Sequence, residues 1–443
     1  MWPVDAVPPP APSRAELRPI RLVVTDDCER SRVTVFFRGL LALPHLFWLL
    51  LWGAAAFTAA VVVWLAVLVE RRAPRTLHGF IASYVRYAAH VTAYLTLAAN
   101  PYPGFTGQPG YPVDVEIDPP TTQGRWGAGF RLLLAIPALG LSASIGGGVT
   151  GSVGSGQFAW YAGAGGLASA AALFGWFACL ARGRMPRGLR DVSAYATGYA
   201  AQTYGYLLLL TDRYPSSDPA LASPADLPDH TVRVIVTDPL ARSRLLVVFR
   251  FLLAFPHFVW ITLWTVAVAF VAAAAWVTAL AIGRVPRPLW RFLAAYVRYT
   301  AHLDAFVYMV GGPFPGFTGA PGSYPIDLTT AEPGPQRRLV TLFRTVLAVP
   351  ALMLMSAYFG VLIVIAVLGW LASLATGRMP GGMRDLGAAA IRYGTQTFAY
   401  LLLVTDRYPY SAPFLRGEER PEQLTLDLTL DLTLDLTLDL EQA

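Results

Sequence analysis

Three stretches of this chain run well past the length of a soluble core helix without one Asp, Glu, Lys or Arg: Leu40–Val69, Phe251–Gly283 and Val346–Gly377. A bilayer core needs about 20 apolar residues per helix, and thirty residues at 1.5 Å each extend about 45 Å against a hydrocarbon thickness of about 30 Å. Segments of this kind are expected to enter a membrane, either tilted or with their first turns in the interface. The interfacial start is favoured here, because Phe37-Arg38 and Trp48/Trp52 suit the headgroup level. Composition agrees. AVILMFWYC residues make up 55% and DEKR only 14%, where soluble domains run near 25% charged.

The formal charge of +6 does not mark a nucleic-acid binder. All 34 basic residues are Arg, scattered through segments that flank apolar runs, with no basic run interleaved with aromatics. The two cysteines, Cys28 and Cys179, form no disulfide framework and no CxxC motif. Met1–Pro19 is Pro-rich and lacks a basic-then-apolar leader pattern, so the first apolar helix is expected to act as its own insertion signal. No cofactor or metal is implied. His45 and His257 follow Pro at a helix start without a second ligand at metal spacing, and read as membrane-interface residues. Gly146-Gly147-Gly148 lacks the Lys-Ser/Thr of a phosphate loop.

Self-comparison gives the organisation. A forward step of 212 carries Ser31-Arg32 onto Ser243-Arg244, Pro44-His45 onto Pro256-His257, and Tyr84, Arg86, Tyr87 and His90 onto Tyr296, Arg298, Tyr299 and His302. Tyr111-Pro112 and Phe130-Arg131 recur 213 later, whereas Met185-Pro186 and Thr211 through Pro215 recur 194 later. The two registers differ by 19 residues, an insertion in the first half within the Gly/Ser-rich stretch around Ser142–Gly166. A loop at a membrane surface is the favoured reading of it, ahead of a close helix contact.

All four quarters share one skeleton: a short alternating strand, Phe-Arg, a Pro six residues on, a long apolar helix, a basic turn such as Arg72-Ala73-Pro74, and a second helix of about 22 residues. The Arg six residues before that Pro (Arg38, Arg131, Arg250, Arg344) reads as a membrane-interface residue. The expected fold is mainly α and polytopic: four helical-hairpin repeats, about eight membrane helices, with short strands at one membrane face and a pseudo-two-fold internal duplication. An arrangement of four spanning and four interfacial helices stands as the alternative. The expected division is a disordered N-terminus (1–19), a first half (20–217), a linker (218–230), a second half (231–416) and an acidic Thr-Leu-Asp-Leu tail (417–443). Orientation is contested within the sequence, since Arg crowds both the hairpin tips and the segment before the first helix.

The second helices carry a polar stripe. On a 100° wheel Ser83, Arg86, Tyr87, His90 and Tyr94 fall on one side. The stripe recurs as Arg298, Tyr299, His302 and Phe306, and as Arg392, Tyr393, Gln396 and Tyr400, and is reduced in the second quarter to Gly198, Tyr199, Gln202 and Tyr206. An Arg at the centre of a spanning helix costs about 2.5–3.5 kcal/mol, so these groups must face protein, water or headgroups. Helix packing or an interfacial position accounts for that. The functional alternative is a polar cavity between pseudo-symmetric bundles for an anion or a proton-coupled solute. Arg and His at a spacing of four are two cations with no carboxylate nearby in sequence, which is not a catalytic pair.

The blocks Arg378-Met379-Pro380, Arg392-Tyr393 and Ala399 through Pro409, with Phe249-Arg250 through Pro256-His257, resemble the domain-of-unknown-function 4389 family of bacterial membrane proteins. The resemblance covers about 20–217 and 231–416. Quarters one and three depart from it, with Pro-Gly-Phe-Thr-Gly in place of the terminal Thr-Asp-x-Tyr-Pro. It implies a multi-pass protein of the bacterial cytoplasmic membrane and brings no activity or site residues. The expected role is a non-enzymatic scaffold or envelope-associated protein, with membrane lipids as partners and the strand layer as a surface for a protein partner. A transporter or channel is the alternative.

Overall fold

The computed structural model describes residues 18–147, 166–222 and 230–415. The N-terminus, most of the Gly/Ser-rich insertion, most of the linker and the tail lie outside them. Four strands each precede one quarter: β1 (Ile20–Val24), β2 (Val113–Ile117), β3 (Val232–Val236) and β4 (Ile326–Thr330). In chain order the helices are α1 (Arg32–Glu70), α2 (Arg75–Leu95), α3 (Arg125–Gly129), α4 (Arg131–Gly146), α5 (Leu167–Arg182), α6 (Arg187–Leu207), α7 (Arg244–Val248), α8 (Arg250–Ile282), α9 (Arg287–Val307), α10 (Arg338–Leu342), α11 (Arg344–Thr376) and α12 (Gly381–Leu401). The fold is mainly helical. Three helices, α1, α8 and α11, are long and apolar enough to cross a membrane.

Each long helix runs on through its proline, at Pro44, Pro256 and Pro350. The break expected at that proline does not occur; one intrahelical hydrogen bond is lost and the apolar flanks hold the helix together. The change of direction falls at the basic turns, where a left-handed residue ends each long helix: Arg71 (φ 61°), Gly183, Gly283 and Gly377. The second quarter departs from the others. By the recurrence of the sequence, α4 and α5 match the two halves of α11, so the insertion interrupts a long helix near its middle instead of joining two hairpins.

The strands pair antiparallel in two separate sheets, β1 with β2 and β3 with β4, in register Leu22↔Val115 and Val234↔Leu328. Strands pack on the second helices, β1 on α6, β2 on α2, β3 on α12 and β4 on α9. The long helices pack on the second helices and on one another. The second helices are thus a middle layer, with strands on one side and long apolar helices on the other. Gly198 and Gly205 of α6 let Leu22 and Ile20 of β1 approach closely.

The hairpin ends do not sort as a set of parallel double crossings would require, with every tip on one side and every strand on the other. The tip after α1 pairs with the segment leading into the second hairpin (Arg72↔Thr122; Gln123 N–H to Arg71 C=O, 2.8 Å). The tip after α5 pairs with the segment leading into α1 (Glu29↔Arg184; Arg30 N–H to Gly183 C=O, 2.9 Å). The second half repeats both clasps, Gln336 N–H to Gly283 C=O and Arg242 N–H to Gly377 C=O, each 2.8 Å. Tips and lead-in segments therefore share both ends of each bundle.

Candidate functional site

The polar stripe meets the strands. Arg86 on α2 donates its Nε–H to the Val115 carbonyl on the outer edge of β2 (2.9 Å), and Arg298 on α9 does the same to Leu328 of β4 (3.1 Å). An open strand edge presents unpaired backbone groups, and these guanidinium groups cover it. One turn on, His90 Nε2 lies 2.8 Å from Asp114 Oδ1 and His302 Nε2 lies 3.0 Å from Asp327 Oδ1. The Arg Nε atoms stand 3.6 and 3.5 Å from the same carboxylate oxygens. Each cluster therefore holds the carboxylate that the neighbouring sequence did not supply, brought in from a strand more than twenty positions away. Tyr111 and Tyr324 lie against the imidazoles at 4.7 and 5.1 Å between ring centres.

The two Asp residues are held well below the usual carboxylate range. Burial alone would push them up, but donors from His90 and the Gly110 and Val115 N–H groups outweigh it at Asp114. His302 with the Gly322 and Leu328 N–H groups does the same at Asp327. In the even quarters the His becomes Gln, and among the described residues no Asp hydrogen-bonds to Arg392, Gln396 or Gln202. Gln396 donates to the Val232 carbonyl on the edge of β3 (3.0 Å) and accepts from Tyr410 N–H (3.1 Å). Gln202 accepts from Ser216 N–H (3.0 Å). Arg392 donates to the Ala412 carbonyl and lies over Tyr410.

Arg38, Arg131, Arg250 and Arg344 are buried, and their guanidinium groups do not point outward as membrane-interface residues would. Each turns inward to the C-terminal end of the second helix of its own hairpin, where the last carbonyls lack intrahelical donors. Arg38 donates to Tyr94 and Ala99 carbonyls, Arg131 to Thr211, Arg250 to Phe306, Gly311 and Gly312, and Arg344 to Tyr400 and Thr405. Each also sits 4.1–4.5 Å above an aromatic ring. The chain just beyond each of these helices turns left-handed at Leu97, Leu209, Met309 and Leu403, presenting further carbonyls inward.

His45 and His257 are likewise buried, turned into the protein and not outward. The Nδ1 atoms of these two histidines, both fully buried, share hydrogen bonds with the Tyr87 and Tyr299 hydroxyls (2.6 and 2.7 Å), under Phe105 and Phe317. Asp26 and Asp238, in the turns after β1 and β3, accept from Arg30 and Arg242 at 2.7 Å, and those guanidinium groups go on to the carbonyls of Leu97, Ala98 and Val310.

Among the described residues, cavities of about 570 Å³ open on the surface at two places. One is aromatic, lined by Trp48, Trp52, Phe80 and Phe105; the other is polar, lined by His230, Arg337, Asp406, Arg407, Tyr408 and Tyr410. Neither is lined by an Arg or His of the stripe. Among the described residues no three His, Cys, Asp or Glu gather as a metal would need.

This chain belongs to the family described as a domain of unknown function (DUF4389), which matches it four times, at residues 32–106, 157–217, 244–316 and 338–413. The first, third and fourth matches each cover a whole hairpin, and the second covers α5 and α6 but not α3 and α4. No curated protein and no solved structure gives a match.

Proposed function

We propose that the protein is a non-enzymatic membrane scaffold of the bacterial cytoplasmic membrane. The observation that carries the reading is the use made of the stripe. Arg86, His90, Arg298, His302, Arg392 and Gln396 all hold strand edges, carboxylates or loop carbonyls of their own chain. Groups that conduct an anion or relay a proton have to line a water-filled path, whereas these are engaged and mostly buried. The long apolar helices support a seat in lipid, and the sheets offer their outer faces to a protein partner.

The test is flux. Purified protein in sealed vesicles would be assayed for anion and proton movement, alongside Arg298→Gln and His302→Ala. The scaffold reading expects the same flux as empty vesicles for all three proteins, with both variants lower in thermal stability. Flux above empty vesicles that either substitution abolishes while the protein remains folded favours the transporter.

A further inference from the structure

We propose that the bundle lies along the membrane plane in a single leaflet, seated on the apolar faces of its long helices, with Arg at both of its ends reaching headgroup phosphates. This rests on the membrane reading above. The path between hairpins carries the argument. Leu97, at the end of α2, is held by Arg30 at one end of the first bundle, and Gln123 is held by Arg71 at the other. The chain between them, which includes β2, must therefore travel the whole length of the bundle. In the second half Val310 is held by Arg242 and Gln336 by Gly283, with β4 between.

Stood upright in a bilayer, both bundles would carry a two-stranded ribbon across the hydrocarbon. The outer face of the first ribbon bears Arg21, Glu116 and Asp118, joined at 2.9–3.2 Å and partly exposed. Irregular, charged backbone of this kind is not found facing lipid.

The apolar surface has the wrong length for an upright bundle and a suitable one for a reclining bundle. Along α1 the exposed apolar residues run from Val33 (68%) through Leu50 (72%) to Val69 (71%). That is about 54 Å of helix, nearly twice a hydrocarbon thickness of about 30 Å. The break between α4 and α5 matches the middle of α11. In an upright bundle the chain would leave the helix at the centre of the bilayer.

Charge completes the case. Arg32 and Arg184 are exposed at one end of the first bundle and Arg72 and Arg125 at the other. Across a membrane, equal Arg at both ends opposes the usual bias toward one side. In a bundle lying flat, both ends meet headgroups of the same leaflet and the conflict disappears.

Single cysteines at Ser31 and Thr76, exposed at opposite ends, would be introduced with Cys28→Ser and Cys179→Ala. They would be treated with an impermeant maleimide in right-side-out and inverted vesicles. Both sites labelled from one side and neither from the other is the expected result; labelling from opposite sides overturns the proposal. Trypsin on vesicles carrying the native chain gives the same answer without substitutions. Cleavage at both the Arg32 and the Arg72 ends from one side supports the flat seat, and cleavage at only one end from each side refutes it. A carbonate wash separates the two readings. Release of the native chain sinks the membrane seat itself, while retention with opposite-side labelling sinks only the flat orientation.

Discussion

Replacing Arg250 by Met keeps most of the side-chain volume and removes that guanidinium's donors from the end of α9. The guanidinium is 3% exposed and bonds the Phe306, Gly311 and Gly312 carbonyls at 2.7, 3.0 and 3.0 Å. The Phe306 carbonyl also accepts the Met309 N–H (3.2 Å), but a buried carbonyl left without a donor costs about 1–3 kcal/mol, so those of Gly311 and Gly312 give roughly 2–6 kcal/mol before any offset. Removing a buried charge returns part of this as relieved desolvation, which leaves a net loss of about 2 kcal/mol. Arg250→Lys keeps the charge but not the planar fork, and is expected to recover about half of that. The assay is unfolding of detergent-solubilised protein in increasing SDS, followed by tryptophan fluorescence. A Met variant within about 1 kcal/mol of the native protein, below the cost of one orphaned carbonyl, refutes the clamp. A Lys variant no better than Met refutes the role given to its charge.

Gly107→Ala should cost at least about 2 kcal/mol in the same assay, since its φ of 63° is left-handed and a Cβ would stand 2.3 Å from the Ser83 carbonyl oxygen. Gly104→Ala, with nothing within 4 Å of its Cβ, is the control and should leave the midpoint unchanged. Arg71→Gly should stabilise by about 0.5–1 kcal/mol, because relief of the left-handed strain exceeds the added freedom of the unfolded chain; a lower midpoint contradicts this. Acid should act in two steps. Burial, with the nearby charges of Arg392 and Arg407, pushes His230 down from 6.5 to about 4, so its neutral form belongs to the folded state. Its contribution is complete above 6.5 and is lost as pH falls from there toward 4. The depressed carboxylates of Asp114 and Asp327 stabilise above their ordinary value of 3.8, and that stability is lost only at lower pH. Burial lowers His78 as well, so the upper step of stability against pH should shrink in His230→Gln without vanishing; an unchanged profile in that variant rules out the assignment.

Much of this architecture is legible in the residues. The 212-residue register yields the four hairpins, and alternation in Arg233 through Thr237 yields β3. The stripe is visible because Arg298 and His302 stand out against an apolar helix. Its partners are harder to see, because they come from strands rather than from the next turn. The recurrence that carries Tyr111 onto Tyr324 also carries Asp114 onto Asp327, and that is the signal for them. The inward turn of Arg38 and its three counterparts has no local signal at all. A charge beside a long apolar helix looks like a headgroup ligand until the carbonyls left over at the far end of the second helix are counted. The clasps between hairpins are equally silent, since backbone pairing between Glu29 and Arg184 depends on no particular side chain.

Those clasps bear on how such a chain could arise. Within each half the first hairpin gives its tip to the second and receives the second's tip in return, the reciprocal exchange of a two-fold dimer. A polypeptide holding a single hairpin and strand would have two open ends and an unpaired strand, and a second copy of itself would close all three. The present chain reads as that homodimer joined by a linker and then doubled, which makes the half, rather than the quarter, the smallest piece with both clasps and its sheet closed.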